Sequence, residues 1–221
     1  MNLSRPTVVL FLTLIPCPAV AFGMYGIRSL IWTFFFYHVV CLLPACIILR
    51  QLWLPHVILP TFRQWLLLAG ATVLTTTIGL ALYIYNGDLI VSRQEVIAVL
   101  TERGFQAIYL LPLSIYFVVV NAALEELFWR GVVLNELDYF KKKWRYTGTI
   151  WTAVTFAAWH YLVLRLLLRP GFAELAVLGI LAMGFFLLWL YRRTQSIVVP
   201  IIWHALVFDL ALIVILVAVL R

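Results

Sequence analysis

Charge is scarce in this chain. Of 221 residues, 16 are lysine or arginine and nine are aspartate or glutamate, 11% in all, while 65% are hydrophobic. A soluble domain carries about a quarter charged residues. The shortage excludes an ordinary soluble enzyme, and a mean hydropathy of +1.07 points to an integral membrane protein. Several catalytic signatures are missing too: no HExxH, no GxSxG and no phosphate-binding glycine loop occurs. Cysteine is sparse. Cys17, Cys41 and Cys46 fall in apolar segments with no CxxC pair, which reads as small buried side chains rather than a disulfide or metal site. No repeat, low-complexity linker or second domain is visible. The net charge is +7, but the basic residues are scattered between apolar runs. Basic loops at a membrane surface explain that better than nucleic-acid binding does.

What is present is a series of long apolar runs. A helix needs about 20 apolar residues to cross a bilayer. Seven segments qualify, near 7–25, 29–49, 64–86, 105–135, 147–168, 172–191 and 196–220. The expected fold is therefore all-α, a polytopic membrane helix bundle forming one membrane domain over 1–221. Arg5, the apolar run after it and Ala19-Val20-Ala21 have the outline of a secretory signal. The segment reads as a retained first span. The longest connection, 86–106, sets Ile90, Val91, Ile97 and Leu100 among charges, which predicts a short amphipathic helix at the interface.

Orientation follows lysine and arginine outside the bilayer. One face receives Arg5, Arg50, Arg63, Lys141, Lys142, Lys143, Arg145, Arg192 and Arg193. The other receives Arg28, Arg93, Arg103, Arg165, Arg169 and Arg221. Nine against six places the N-terminus in the cytoplasm.

Against this apolar background the polar exceptions carry information. An ionised group at the bilayer centre costs about 2.5–3.5 kcal/mol on insertion scales, so such groups face a partner or a cavity. The stretch "NAALEELFWRGVVL" (121–134) holds Glu125, Glu126 and Arg130. His160 lies in the fifth segment, and His204 and Asp209 lie in the seventh. Helical positions four apart share a face. Glu126 can thus pair with Arg130, while Asn121 and Glu125 form a second polar line with Ser114 above them. Glu126 has a local cation and Glu125 has none in its own helix. That leaves Glu125 the freer of the two for proton transfer. At 1.5 Å per residue, Glu125, His160 and His204 lie roughly 12–20 Å from helix ends on one face of the membrane, so they can converge at a similar depth. The plainer alternative is structural: a Glu–Arg pair gluing helices, and packed histidines. His38 and His56 are read as packed or loop histidines. Asp209, five residues after His204, falls about 140° round an α-helix. It is expected to face elsewhere, or to reach the backbone or Arg130 from another angle.

These residues resemble a known family. "EELFWR" (125–130) matches the EExxxR motif of the CAAX-protease and bacteriocin-processing (CPBP, or Abi) family of intramembrane glutamic proteases. "FAAWH" (156–160) matches its FxxxH motif, and "SIVVPIIWHALVF" (196–208) looks like its last motif, which ends in HxxxN. The resemblance covers roughly 110–212. It divides the chain into N-terminal spans without motifs, 1–104, and a motif-bearing core, 105–221. Phe208 stands where the family has the asparagine thought to help hold the oxyanion. Asn121 is the candidate substitute.

The resemblance implies an intramembrane endopeptidase acting on a lipidated or membrane-embedded peptide. Glu125 activates a water, His160 positions it, His204 stabilises the oxyanion, and Glu126 and Arg130 support Glu125. It implies no cofactor. One glutamate and two histidines are nevertheless a reasonable zinc set. The expected setting is the inner membrane of a prokaryote, with the site opening to the cytoplasm and no nucleic-acid partner. The competing reading is a non-catalytic membrane protein, such as an immunity factor, scaffold or small transporter, that keeps a buried polar cluster.

Overall fold

The computed structural model describes residues 5–140 and 146–220, and the side chains of 7–138 and 146–220. The basic cluster Lys141–Lys143 with Arg145, the side chain of Arg5, and Arg221 lie outside the described residues. All regular structure among the described residues is helical. Seven helices are long and apolar enough to cross a membrane: Thr7–Ile27, Leu30–Ile48, Phe62–Ile90, Ala107–Asp138, Thr147–Leu167, Phe172–Thr194 and Val198–Leu220. They are called spans one to seven below. Each matches a segment expected from hydropathy, with ends shifted by a few residues. The spans run from 19 to 32 residues: the hydrocarbon core of about 30 Å sets the minimum near 20 residues, and they are helical because every backbone N–H and C=O must be paired inside its own segment in lipid.

The ends have local causes. Span three starts at a capping box in which Thr61 accepts from the Gln64 backbone and Gln64 reaches back to Thr61. The expected amphipathic helix forms at Arg93–Glu102, capped by Ser92. Its buried face is Val96 and Leu100, packed with Val219, Leu30, Leu167 and Ile215; Ile97 is exposed. The cysteines are all free, Cys41 and Cys46 buried as expected but Cys17 exposed.

Spans five and six lie side by side along their length, and span three packs on span seven. The second half of span four, from Asn121 on, is enclosed. Phe128, Trp129, Val132 and Val133 have no accessible surface. The packing is close because lipid offers no hydrophobic drive for helix association; contact area must supply it. Gly131 shows how close: a Cβ there would lie 2.7 Å from the Trp53 Cβ. Trp53 belongs to the connection after span two, which closes this end of the bundle. Asn135 donates to the Leu52 carbonyl at 2.8 Å, and the Ile197 N–H donates to that of His56 at 2.7 Å.

Several spans leave the α-helical path. Phe35–Leu42 in span two, Phe117–Asn121 and Leu127–Leu134 in span four, and His204–Asp209 in span seven are π-helical. Their i→i+5 bonding changes which residues share a face, and such turns recur at functional sites.

Candidate active site

The polar residues of spans two, four and seven meet. Arg130 Nη1 donates to Glu126 Oε1 at 2.8 Å, the four-residue pair expected from the sequence, and both side chains are fully buried. Arg130 Nη2 reaches the Gly184 carbonyl at 3.3 Å, and its guanidinium carbon sits 4.6 Å from the Phe156 ring centroid. Glu126 Oε1 also accepts from His204 Nδ1 at 2.8 Å. The other edge of that imidazole looks toward two more carboxylates: Nε2 is 3.4 Å from Asp209 Oδ1 and 3.7 Å from Glu125 Oε2. Three carboxyl groups thus surround one imidazole and one guanidinium.

Glu125 and Glu126 are adjacent but differently placed. Glu126 is tied to Arg130 and His204. Glu125 Oε1 accepts from the Tyr37 hydroxyl at 2.8 Å, and its Oε2 is buried with no hydrogen-bond partner among the described residues. Glu125 lines a cavity of about 550 Å³ together with Asn121, His160, His204 and Asp209; Glu126 does not. Glu126 Oε2 is also without a partner, but it lies in packed interior. His160 donates Nδ1–H to the Phe156 carbonyl at 2.8 Å, leaving Nε2 for the cavity. Its ring stacks on Trp159, with centroids 3.7 Å apart.

Asp209 corrects the sequence reading. It was expected to point away from His204, yet it is buried beside it. The π-helical turn His204–Asp209 is the reason. Five-residue bonding brings residues five apart onto one face, where an α-helix sets them about 140° apart. Asp209 is held in turn by Asn121, whose Nδ2 donates to its Oδ2 at 3.2 Å. The Asn121 carbonyl oxygen accepts from His38 Nε2 at 3.0 Å, and Tyr116 donates to His38 Nδ1 at 2.8 Å. So Asn121, offered as an oxyanion donor, already carries two side-chain partners. His38 is packed and hydrogen-bonded as expected, but the bond joins it to the site. Ser114 bonds back to the Leu110 carbonyl at 2.6 Å and stays outside the cluster. His56 is exposed. Phe208 lines the cavity and packs on Phe186.

Two residues of the cluster were not placed there by the sequence. Tyr37 lies in the run "FFFYH", where one more aromatic looks like packing. Asp209 required the π-helical turn to be known.

The cavity also runs the other way from the expected one. Toward the 138–147 connection, Leu134, Ala153, Leu188, Tyr191 and Ile197 fill the interior. The lining instead extends from Glu125 to Met24, Leu30, Leu167 and Leu168, at the opposite ends of their helices. Distances along the helices gave the depth of the site but not which end is filled. With a cytoplasmic N-terminus, the helix ends that this lining reaches would lie at the face away from the cytoplasm.

Among the described residues, no three His, Cys, Asp or Glu side chains are grouped to hold a metal ion. Both nitrogens of His204 face carboxylates, and His160 spends Nδ1 on a backbone carbonyl.

No curated protein and no solved structure matches the chain. A family model does. Residues 107–208, which hold all three motifs and run from the start of span four into span seven of this multi-pass membrane protein, match the model described as type II CAAX prenyl endopeptidase Rce1-like, and over that stretch the chain is similar to the CPBP family of CAAX proteases.

Proposed function

We propose that the protein is an intramembrane endopeptidase in which Glu125 activates water to cleave a peptide bond near a prenylated or membrane-embedded segment. The observation that carries this reading is Glu125 Oε2, a buried, unpartnered carboxylate oxygen in a cavity shared with His160 and His204. A water between Oε2 and His160 Nε2 gives up a proton to Glu125 as its oxygen attacks the peptide carbonyl carbon. The carbonyl electrons move to its oxygen, which accepts a hydrogen bond from His204 Nε2–H. That edge is the free one, since its contacts at 3.4 and 3.7 Å are loose while Nδ1 is fixed on Glu126. Collapse of the tetrahedral intermediate breaks the C–N bond, and Glu125 returns the proton to the leaving amine. Glu126 and Arg130 hold His204 from the packed side, and Asn121 holds Asp209.

The reading is metal-free: Nδ1 of His204 is held by Glu126 and Nδ1 of His160 by the Phe156 carbonyl, and the described His, Cys, Asp and Glu side chains form no group of three suited to a metal ion. The cavity wall is apolar and reaches the helix ends at Leu30 and Leu168, which suits a lipid-bearing peptide entering from that face. A prenylated tail anchors at the cytoplasmic leaflet. We therefore place the Ile27–Leu30 and Leu167–Phe172 connections in the cytoplasm, against the nine-to-six lean of the basic residues. A prokaryotic inner membrane remains the proposed setting.

The test uses the protein in proteoliposomes with a farnesylated peptide ending in a CAAX sequence, products being read by mass spectrometry. Glu125→Gln lowers cleavage at least about 10³-fold while the protein still inserts and unfolds at a near-normal temperature. A phenanthroline series leaves the wild-type rate unchanged. Normal cleavage by Glu125→Gln would sink the reading, and loss of activity to the chelator would sink its metal-free form.

A further inference from the structure

Span two lies outside the matched stretch and carries no motif, yet two of its consecutive residues grip span four. Tyr37 donates to Glu125 at 2.8 Å and His38 bonds Asn121 at 3.0 Å. Their partners are four apart and so share one face of span four. The π-helical turn Phe35–Leu42 carries both. Tyr37 is 2% exposed, and its ring packs 4.5 Å from Trp159, which stacks on His160. It therefore spans the gap between the two groups that must share a water.

We infer that Tyr37 is a positioning residue for the hydrolysis: its hydroxyl holds Oε1 of Glu125, so that Oε2 alone is presented to water in the cavity. This inference rests on the proposed role of Glu125. A carboxylate has two equivalent oxygens and rotates about its last bond. A single donor from a neighbouring helix removes that freedom and fixes the attack geometry, and misplacing a reacting group by about 1 Å costs on the order of 10²-fold in rate. Tyr37 does not touch the peptide in this role, so its loss acts on turnover rather than on binding. The aromatic ring keeps the Trp159 contact whether or not the hydroxyl is present.

The test is Tyr37→Phe in the same proteoliposomes with the same farnesylated peptide. Expected is a fall in kcat of about 10- to 100-fold with KM within twofold and an unchanged unfolding temperature. Difference infrared spectra of the uncleaving protein add a second readout: Tyr37→Phe shifts a carboxyl band, and the shift vanishes on the Glu125→Gln background. Should Tyr37→Phe fail to fold, Tyr37→Gln and Tyr37→Leu make the same contrast, the amide donor restoring kcat at least about tenfold over leucine. An unchanged kcat in Tyr37→Phe, equal rates for the Gln and Leu variants, or a rise in KM at constant kcat overturns the inference alone. A wild-type protein that cleaves nothing overturns the proposed function, and this inference with it.

Discussion

Toward the connection between spans four and five, Phe128, Trp129, Val132 and Val133 have no accessible surface. Three residues before Phe128, past Glu126 on the same helix, Glu125 faces a cavity of about 550 Å³. The polar cluster sits at the boundary between these regions, and the boundary sorts its members. Glu126 and Arg130 belong to the packed side and complete each other. Glu125, His160 and Asp209 face the hollow side. A buried ion pair is costly to make and costlier to break. A cavity leaves room for water at a group that must exchange protons. The packed end therefore acts as a wall that holds charges in place, and the hollow end gives access.

The comparison is broken most severely at the wall. Arg130→Met removes the only guanidinium bonded to Glu126 among the described residues and leaves its carboxylate facing His204 in a closed interior. Loss of one partner of such a pair costs about 3–5 kcal/mol, and little folded protein is expected in gentle detergent, measured by size-exclusion fluorescence. Phe128→Ala opens a void in the same wall at about 3 kcal/mol. It lines no part of the cavity, so the folded fraction should cleave with nearly the wild-type kcat. If Phe128→Ala instead lost turnover in the folded fraction, wall and cavity would not be separable. At the hollow end the signs reverse. Leu164→Trp, which narrows the cavity wall, should unfold within a few degrees of wild type while raising the KM for a farnesylated peptide about tenfold. An unchanged KM would show that substrate does not pass there.

The contrast also marks what the sequence could reveal. Spans were legible because lipid imposes a length and an apolar composition that few other constraints override. The helix at Arg93–Glu102 was legible from apolar residues such as Leu100 set among charges, whereas its cap at Ser92 came only with the structure. Glu125, His160 and His204 were legible as a set because ionisable groups in apolar runs need a reason to be there. What escaped were facts about shape. Asp209 was misplaced because an α-helical period was applied across a π-helical turn. Tyr37 was overlooked because an aromatic beside other aromatics carries no signal of the one hydrogen bond it makes. The direction of the cavity was reversed because periodicity locates a residue along its helix and says nothing about which neighbouring side chains fill the space above or below it.

The smallest effect tests that direction. Arg28 pairs with Glu102 at 2.7 Å near the hollow end, with side chains 62% and 49% exposed. An ion pair so open to solvent contributes about 0–1 kcal/mol, so Arg28→Cys should unfold at close to the wild-type temperature and cleave normally. Because its stability is untouched, the new thiol serves as a topological marker. Cys41 and Cys46 are buried, and Cys17, the exposed one, is first changed to serine. In inside-out vesicles a membrane-impermeant maleimide should label Cys at position 28 at once, and in right-side-out vesicles only after permeabilisation. The reverse pattern would put the cavity mouth on the side away from the cytoplasm. The positive-residue bias would then have been right, and a substrate anchored in the cytoplasmic leaflet would have no route to Glu125, because the wall of Leu134, Leu188 and Ile197 stands between them.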